Sequence, residues 1–218
     1  MKEINVKTLQ ALWRDHTPGL LGRKNEFAVL CPFVEREDGL HLLFEVRAAT
    51  LRRQGGQVCF PGGRMEPGET AEQCALRETE EELCIPPSSI QLLGRSDYLC
   101  QPGHFFLQPV PGLVDEAGFC ALRPSPAEVA EAFTVPLEFF RSNPPEMYFY
   151  TLEPESPSDF PYDAVGVSPP YNWEGGEVDV PIWRWEGRAV WGMTGRIVKN
   201  LIETMAEAEW TKQESGFE

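Results

Sequence analysis

Residues 77–82 read Arg-Glu-Thr-Glu-Glu-Glu, near the end of a segment that carries the start and stop marks of a single helix. Thr70 is a candidate N-cap, and Gln73, three residues on, completes a capping box. Pro86 and Pro87 stop the helix. Glu78, Glu81 and Glu82 then stand at i, i+3 and i+4, so their carboxylates share one face. Their mutual repulsion weakens such a helix. The macrodipole adds to the penalty, because the three acids sit toward the C-terminal end. The pattern therefore needs either a well-hydrated face or a cationic partner. Oxygen-only clusters suit hard cations such as Mg2+ or Mn2+, which keep waters and bridge to phosphate oxygens. An acidic run alone is more often a solvated face, and the loop before the helix is what tips the balance.

That loop contains Pro61-Gly62-Gly63, whose backbone amides can approach a ligand closely, and Gly68, which permits a turn ahead of the helix. Arg47, Arg52, Arg53 and Arg64 gather beside it in a chain whose formal net charge is −15. Arginine suits phosphate recognition through its fork of donors, although each of these is equally suited to pairing with a surface acid. Gln57 is read as a substrate contact or as a structural hydrogen-bonder in a tight loop. Val58, Phe60 and Leu51 read as core. Trp173, Trp183, Trp185 and Trp191 have rings able to stack an adenine, but buried packing is their commoner use.

The rest of the chain supplies a framework. Residues 5–15 have helical spacing, with Val6, Leu9, Leu12 and Trp13 on one face. Phe27–Val34 and His41–Val46 read as strands joined by a turn at Glu37-Asp38-Gly39. Residues 48–68 read mostly as loop. Strands are expected at Ile90–Leu99, Phe105–Val114, Glu146–Leu152 and Val178–Trp185, the last turning at Glu186-Gly187. Pro126–Phe133, capped by Ser125, and Pro136–Phe140 read as short helices. The proline-rich stretch 153–176 reads as a long surface loop. A closing helix runs from Trp191 to about Ala208, with Ile197, Val198, Leu201, Ile202 and Met205 as its apolar stripe. Strands on both sides of a central helix predict an α/β fold, a mixed sheet between helical layers.

Composition excludes several classes. The balance of 42% hydrophobic and 24% charged residues over 218 positions is that of a globular chain with a sizeable core. No run approaches the roughly 18 apolar residues of a membrane span, and the first residues lack the apolar core of a signal peptide. A cytoplasmic location is expected. The acidic balance argues against nucleic acid as a partner. Cys31, Cys59, Cys74, Cys84, Cys100 and Cys120 form no C-x-x-C pair and read as free thiols, several of them buried. His16, His41 and His104 form no ligand pair.

The segment from Gly63 to Ile85 resembles the Nudix box: Gly, five residues, Glu, seven residues, Arg-Glu, an aliphatic, any residue, Glu-Glu, any residue, Gly, an aliphatic. Gly63, Glu69, Arg77, Glu78, Glu81, Glu82 and Ile85 are in register. Thr79 replaces the usual aliphatic residue and Cys84 the usual glycine. The resemblance implies the Nudix fold, a mixed β-sheet sandwiched between α-helices, as one domain over 1–218, with an added helix at 5–16 and the loop at 153–176. It implies a hydrolase that cleaves a diphosphate linkage with Mg2+ or Mn2+ held by Glu78, Glu81 and Glu82. Arg77 is expected to orient carboxylates such as Glu69. The base for the attacking water stays open among Glu81, Glu69, Glu128 and Glu131.

Upstream, Leu42–Arg47, Leu51 and Gly56-Gln57-Val58-Cys59-Phe60-Pro61-Gly62-Gly63 resemble the extra signature of coenzyme A diphosphatases. So do Pro126–Val129 and Val190–Ile197. The implied substrate is coenzyme A or an acyl derivative, cut to 3′,5′-ADP and the 4′-phosphopantetheine part. Arg47, Arg52, Arg53, Gln57, Gly62 and Gly63 are the expected binding positions. The other substrate class is a different nucleoside diphosphate derivative such as ADP-ribose, and the non-enzymatic reading is an inactive Nudix binding module. The implied partner is a small molecule, with no nucleic acid and no membrane, and a homodimer is compatible with these features.

Overall fold

The computed structural model describes residues 5–16, 25–101, 105–169, 171 and 173–215. His104 and the last three residues lie outside them. The elements run α1 (Val6–Arg14), β1 (Asn25–Arg36), β2 (Gly39–Arg47), β3 (Val58–Cys59), β4 (Gly62–Arg64), α2 (Ala71–Leu83), β5 (Ile90–Leu92), β6 (Leu99–Gln101), β7 (Phe105–Val114), α3 (Glu116–Ala121), β8 (Val129–Pro136), α4 (Leu137–Ser142), β9 (Glu146–Leu152), β10 (Gly176–Trp185), β11 (Arg188–Trp191) and α5 (Gly192–Ser215).

β1 and β7 pair in parallel from Asn25↔Phe105 to Val34↔Val114 and form the centre of a mixed sheet. Around them the order is β3-β2-β1-β7-β5, with β4 on β1, β6 on β7 and β8 on β2, all antiparallel. A smaller antiparallel sheet follows the order β11-β10-β9. Alternation along the central strands divides the core in two. Ala28, Leu30, Val34 and Leu43 pack with Cys74, Ala75 and Leu83 of α2, with α3 beside them. Cys31, Phe33, Leu42 and Phe44 face the other way, onto Phe140 of α4, Trp183 and Val190 of the small sheet, and Val198 and Leu201 of α5. Phe44 stacks on Phe60 and Phe133 at 4.8 and 5.7 Å between centroids. The expected helix–sheet–helix sandwich is present. No helix among the described residues is long and apolar enough to cross a membrane.

Residues 48–68 are mostly loop, as expected, and the short strands β3 and β4 are set within them. Several local expectations are corrected. The expected strand Ile90–Leu99 is broken into β5 and the start of β6, each pairing a different stretch of β7. Pro126–Phe133 is not a helix. Glu128 and Val129 both donate backbone N–H groups to the Ser125 carbonyl, closing a turn, and β8 then pairs with β2. A free sheet edge overrode weak local helix signals there. Helix α3 was not anticipated. Asp115 caps it through the Gly118 amide at 2.7 Å, and Gly118 within it lowers the helix signal. That glycine is required, because a Cβ would lie 2.6 Å from Ser89 Cβ. Of the cysteines, Cys31 and Cys74 are buried, Cys59 half-buried, and Cys84, Cys100 and Cys120 exposed; all six are free. Val6, Leu9, Leu12 and Trp13 form the expected stripe on α1 but are exposed.

Candidate active site

The cap on α2 is the one its sequence specifies. The Thr70 side chain accepts from the Gln73 amide, and Gln73 accepts from the Thr70 amide. Thr79, in an aliphatic position, is fully buried and returns its hydroxyl to the Ala75 carbonyl at 2.6 Å. At the exit Cys84 takes up the left-handed conformation, φ 56° and ψ 26°, that glycine adopts more cheaply. The helix therefore ends in the left-handed cap that glycine would make.

The three carboxylates of one helix face meet three environments. Glu81 is the most open, with its side chain 56% exposed. Glu78 is half-buried and Glu82 is buried. Arg77 links the outer part: its guanidinium donates to Glu69 at 2.9 and 3.1 Å, to Glu78 at 2.8 Å and to Glu81 at 3.2 Å. These donors hold the Glu69 carboxyl below its ordinary range. Burial pushes Glu78 upward despite Arg77.

Glu82 is reached from the other side. β4 runs so close to β1 that a Cβ on Gly62 would lie 2.3 Å from the Ala28 carbonyl oxygen, and the φ of 151° also demands glycine. This places the Gly62 amide 2.8 Å from Glu82 Oε2. A Cβ on Gly63 would strike the Glu78 carboxylate at 2.4 Å. The double glycine is therefore needed so that backbone can lie against two of the three carboxylates. Arg47 Nη1 is 3.9 Å from Glu82 Oε1. Burial, and next the charge on Glu45, drive the Glu82 carboxyl upward.

Glu45 is the site residue that sequence reasoning missed. It is completely buried on β2, accepts a hydrogen bond from the Cys59 thiol at 3.3 Å, and has no partner for Oε2 among the described residues. Burial raises its carboxyl as well. The available signal was a lone acid inside the otherwise apolar run Leu42-Leu43-Phe44-Glu45-Val46.

The candidate residues are only partly brought together. Arg47, Arg53, Gln57, Gly62, Gly63 and Arg64 line a cavity of about 1200 Å³. Phe27, Val29, Phe105, Leu107, Trp191 and Met193 add apolar surface to its lining. Gly62 and Gly63 contact both the cavity and the carboxylates. Arg196 also lines it, held by Asp179 at 3.0 Å. Arg52 is exposed and is not part of the lining. Glu128 is exposed, and its charge acts on Glu45 and Glu78. The turn that carries it is tied to the end of α2 by the Ser125 amide on the Glu82 carbonyl at 2.7 Å. Glu131 is engaged by Arg188.

Among the described residues no three acidic, histidine or cysteine side chains converge as a ready cage for an ion. The donor set nevertheless fits a divalent cation. The donors are oxygen only, Arg77 and Arg47 offset their repulsion only in part, and one buried oxygen of the adjoining Glu45 carboxylate has no partner among the described residues. Arg77 occupies Glu78 and Glu81 in this arrangement, so those two would turn toward an ion.

The family model described as NUDIX domain matches residues 24–147. The peroxisomal coenzyme A diphosphatase NUDT7 of Mus musculus is 36% identical over 137 residues, 62% of this chain and 56% of that one, so the match spans a little over half of the mouse protein. The Nudix hydrolase NudL of Photorhabdus laumondii subsp. laumondii is 33% identical over 177 residues, 81% of this chain and 82% of that one. Among solved structures, a MutT/nudix family protein from Enterococcus faecalis aligns with a TM-score of 0.46 at 14% identity, over 94% of this chain and 71% of that one.

Proposed function

Because the chain belongs to the Nudix hydrolase family, we propose that it hydrolyses the diphosphate linkage of coenzyme A or an acyl-coenzyme A, giving 3′,5′-ADP and the (acyl-)4′-phosphopantetheine fragment. Residues 1–218 act as one domain in this reading, since the carboxylate helix packs on one face of the central sheet and the closing helix and the small sheet pack on the other. The observation that carries the substrate class is the mixed lining of the cavity. Arg47, Arg53 and Gln57 present polar groups beside the double glycine, and the apolar residues of the lining suit a pantetheine or acyl chain. The name of the mouse relative points the same way. The cytoplasmic setting expected from the sequence is part of the proposal, and a small-molecule substrate is its only required partner.

Glu78, Glu81 and Glu82 would hold Mg2+ or Mn2+ at the diphosphate, where the ion would supply charge neutralisation of phosphate oxygens and a more acidic water. The chain's own residues do the rest. Gly62 donates its amide to Glu82 and holds that carboxylate in place. Arg77 orients Glu69, Glu78 and Glu81. Arg47 and Arg53 bind phosphate oxygens, and Gln57 lines the substrate's path. Of the acids left open by the sequence, Glu69 and Glu81 are held by Arg77 and Glu131 by Arg188. Glu128, exposed and with its charge acting on Glu45 and Glu78, is therefore the favoured group for taking the water's proton.

The test is kcat/KM for coenzyme A, an acyl-coenzyme A and ADP-ribose in one buffer with Mg2+ or Mn2+. Coenzyme A or its acyl derivative should be cut fastest. Faster cleavage of ADP-ribose would overturn the substrate assignment and leave the general diphosphate hydrolase.

A further inference from the structure

Strand β2 alternates its side chains between the two halves of the core. Leu43 faces the layer that contains α2, and Glu45, two residues on, shares that direction. Glu45 therefore projects from the central sheet toward the underside of the signature helix. β2 is flanked by β3 and β8 at this point, with Cys59 and Ala132 opposite Glu45, and no part of the side chain reaches solvent.

A carboxylate in that position needs compensation, since an unpaired buried charge is among the costliest groups a core can hold. What it receives is small. Cys59 Sγ donates to Oε1 at 3.3 Å, and Oε2 has no partner among the described residues. The charged neighbours that act on it are Arg47, Glu78, Glu82 and Glu128. The single guanidinium lies 3.9 Å from Glu82. Two buried carboxylates thus share one guanidinium, and one acceptor oxygen is unused. A hard divalent cation supplies both needs at once, a counter-charge and a partner for oxygen.

We infer that Glu45, outside the signature helix, is an additional carboxylate ligand of the divalent cation, with the Cys59 thiol fixing its orientation through Oε1. The inference rests on the proposed metal-dependent reading of Glu78, Glu81 and Glu82. It assigns the cation site an inner wall from the central sheet as well as an outer one from the helix. Cys59 is a protonated donor in this arrangement and not itself a ligand.

The test is Mn2+ binding to the whole protein without substrate, followed by electron paramagnetic resonance of the free ion, for wild type, Glu45→Gln and Glu82→Gln. Glu45→Gln should weaken Mn2+ binding by about 10-fold or more. It should also leave the metal-free protein melting no lower than wild type, because a buried charge is removed, while reducing the rise in Tm on adding Mn2+. Wild-type affinity in Glu45→Gln beside lost affinity in Glu82→Gln overturns this inference and leaves the helix assignment standing. Wild-type affinity in both overturns the two together. Glu45→Asp covers failure of the glutamine variant to fold. It keeps the charge but withdraws it by one methylene, so it should bind Mn2+ more weakly than wild type, and unchanged affinity would overturn the inference.

Discussion

Arg77 grips Glu69 with two hydrogen bonds, Nε to Oε1 at 2.9 Å and Nη2 to Oε2 at 3.1 Å. The same guanidinium reaches Glu78 and Glu81 through Nη1. It is thus the hub that sets where the outer carboxylates sit before a cation arrives. Lysine has no planar fork and cannot reproduce this. Arg77→Lys is expected to destabilise the protein by about 1.5–3 kcal/mol, the scale of a hydrogen bond to a charged group. It should also lower kcat more than it raises KM, because the carboxylates lose their alignment while the cavity is untouched. Denaturant unfolding and steady-state kinetics on one preparation would check both parts, and a variant with wild-type kcat would remove the orienting role.

Glu78→Gln, Glu81→Gln and Glu82→Gln should each reduce turnover by at least about 100-fold, the loss of several kcal/mol of charge stabilisation. Their effects on stability should differ. Glu81 is largely exposed, so its variant should melt with the wild type in EDTA. Glu82 is buried among like charges, so its variant should melt no lower in EDTA and should lose the rise in Tm that Mg2+ produces by binding the native state. Three variants with near wild-type rates at saturating Mg2+ would refute the metal assignment.

Cys84 holds a left-handed conformation that costs a side-chain-bearing residue roughly 1–2 kcal/mol. Cys84→Gly relieves this strain at an exposed position beyond the carboxylates. It should raise stability by about 1 kcal/mol, partly offset by the greater entropy of the unfolded glycine chain. Turnover should not change. Thermal unfolding beside an activity assay decides it, and a folded but inactive variant would reveal a role for the thiol.

The cysteines should divide by burial. Cys84, Cys100 and Cys120 are exposed and should react with a thiol reagent at neutral pH. Burial raises Cys74 to about 12 and keeps Cys31 and Cys59 protonated as well. Those three should react only after unfolding. Counting modified thiols by mass spectrometry, with and without denaturant, tests this, and fast native labelling of Cys59 would contradict its buried pairing with Glu45.

Arg53 lines the cavity and Arg52 does not. If the 3′-phosphate of coenzyme A is bound from this segment, Arg53→Ala should lose the preference over dephospho-coenzyme A, and Arg52→Ala should keep it. One charge-assisted contact at about 1.5–3 kcal/mol corresponds to roughly 10- to 150-fold in kcat/KM. Cleavage of dephospho-coenzyme A should be nearly unchanged in both variants. Equal kcat/KM for the two substrates in the wild type would end the argument.

What the sequence determined by itself was whatever depends on near neighbours along the chain. The box around Thr70, the helix that follows it, the stop after Cys84 and the shared face of Glu78, Glu81 and Glu82 follow from spacing at 3.6 residues per turn. The double glycine before the helix was legible as a place of close backbone approach, and the structure adds that Gly62 lies against β1 and Gly63 against Glu78. Runs of apolar, β-branched and aromatic residues made most of β1, β2, β7 and β9 readable for the same local reason. Tertiary structure decided what depends on residues far apart. Residues 129–133 became strand because β2 had an edge to fill, and that pairing offset their helical signals. Arg53 borders the cavity and Arg52 does not, although the two are adjacent and both exposed, because the turns of their loop set which of them lies beside it. Glu45 looked like a stray acid in an apolar strand. Only when β2 packs beneath α2 does its carboxylate meet Glu82, 37 positions away in the chain, and no local pattern encodes that meeting.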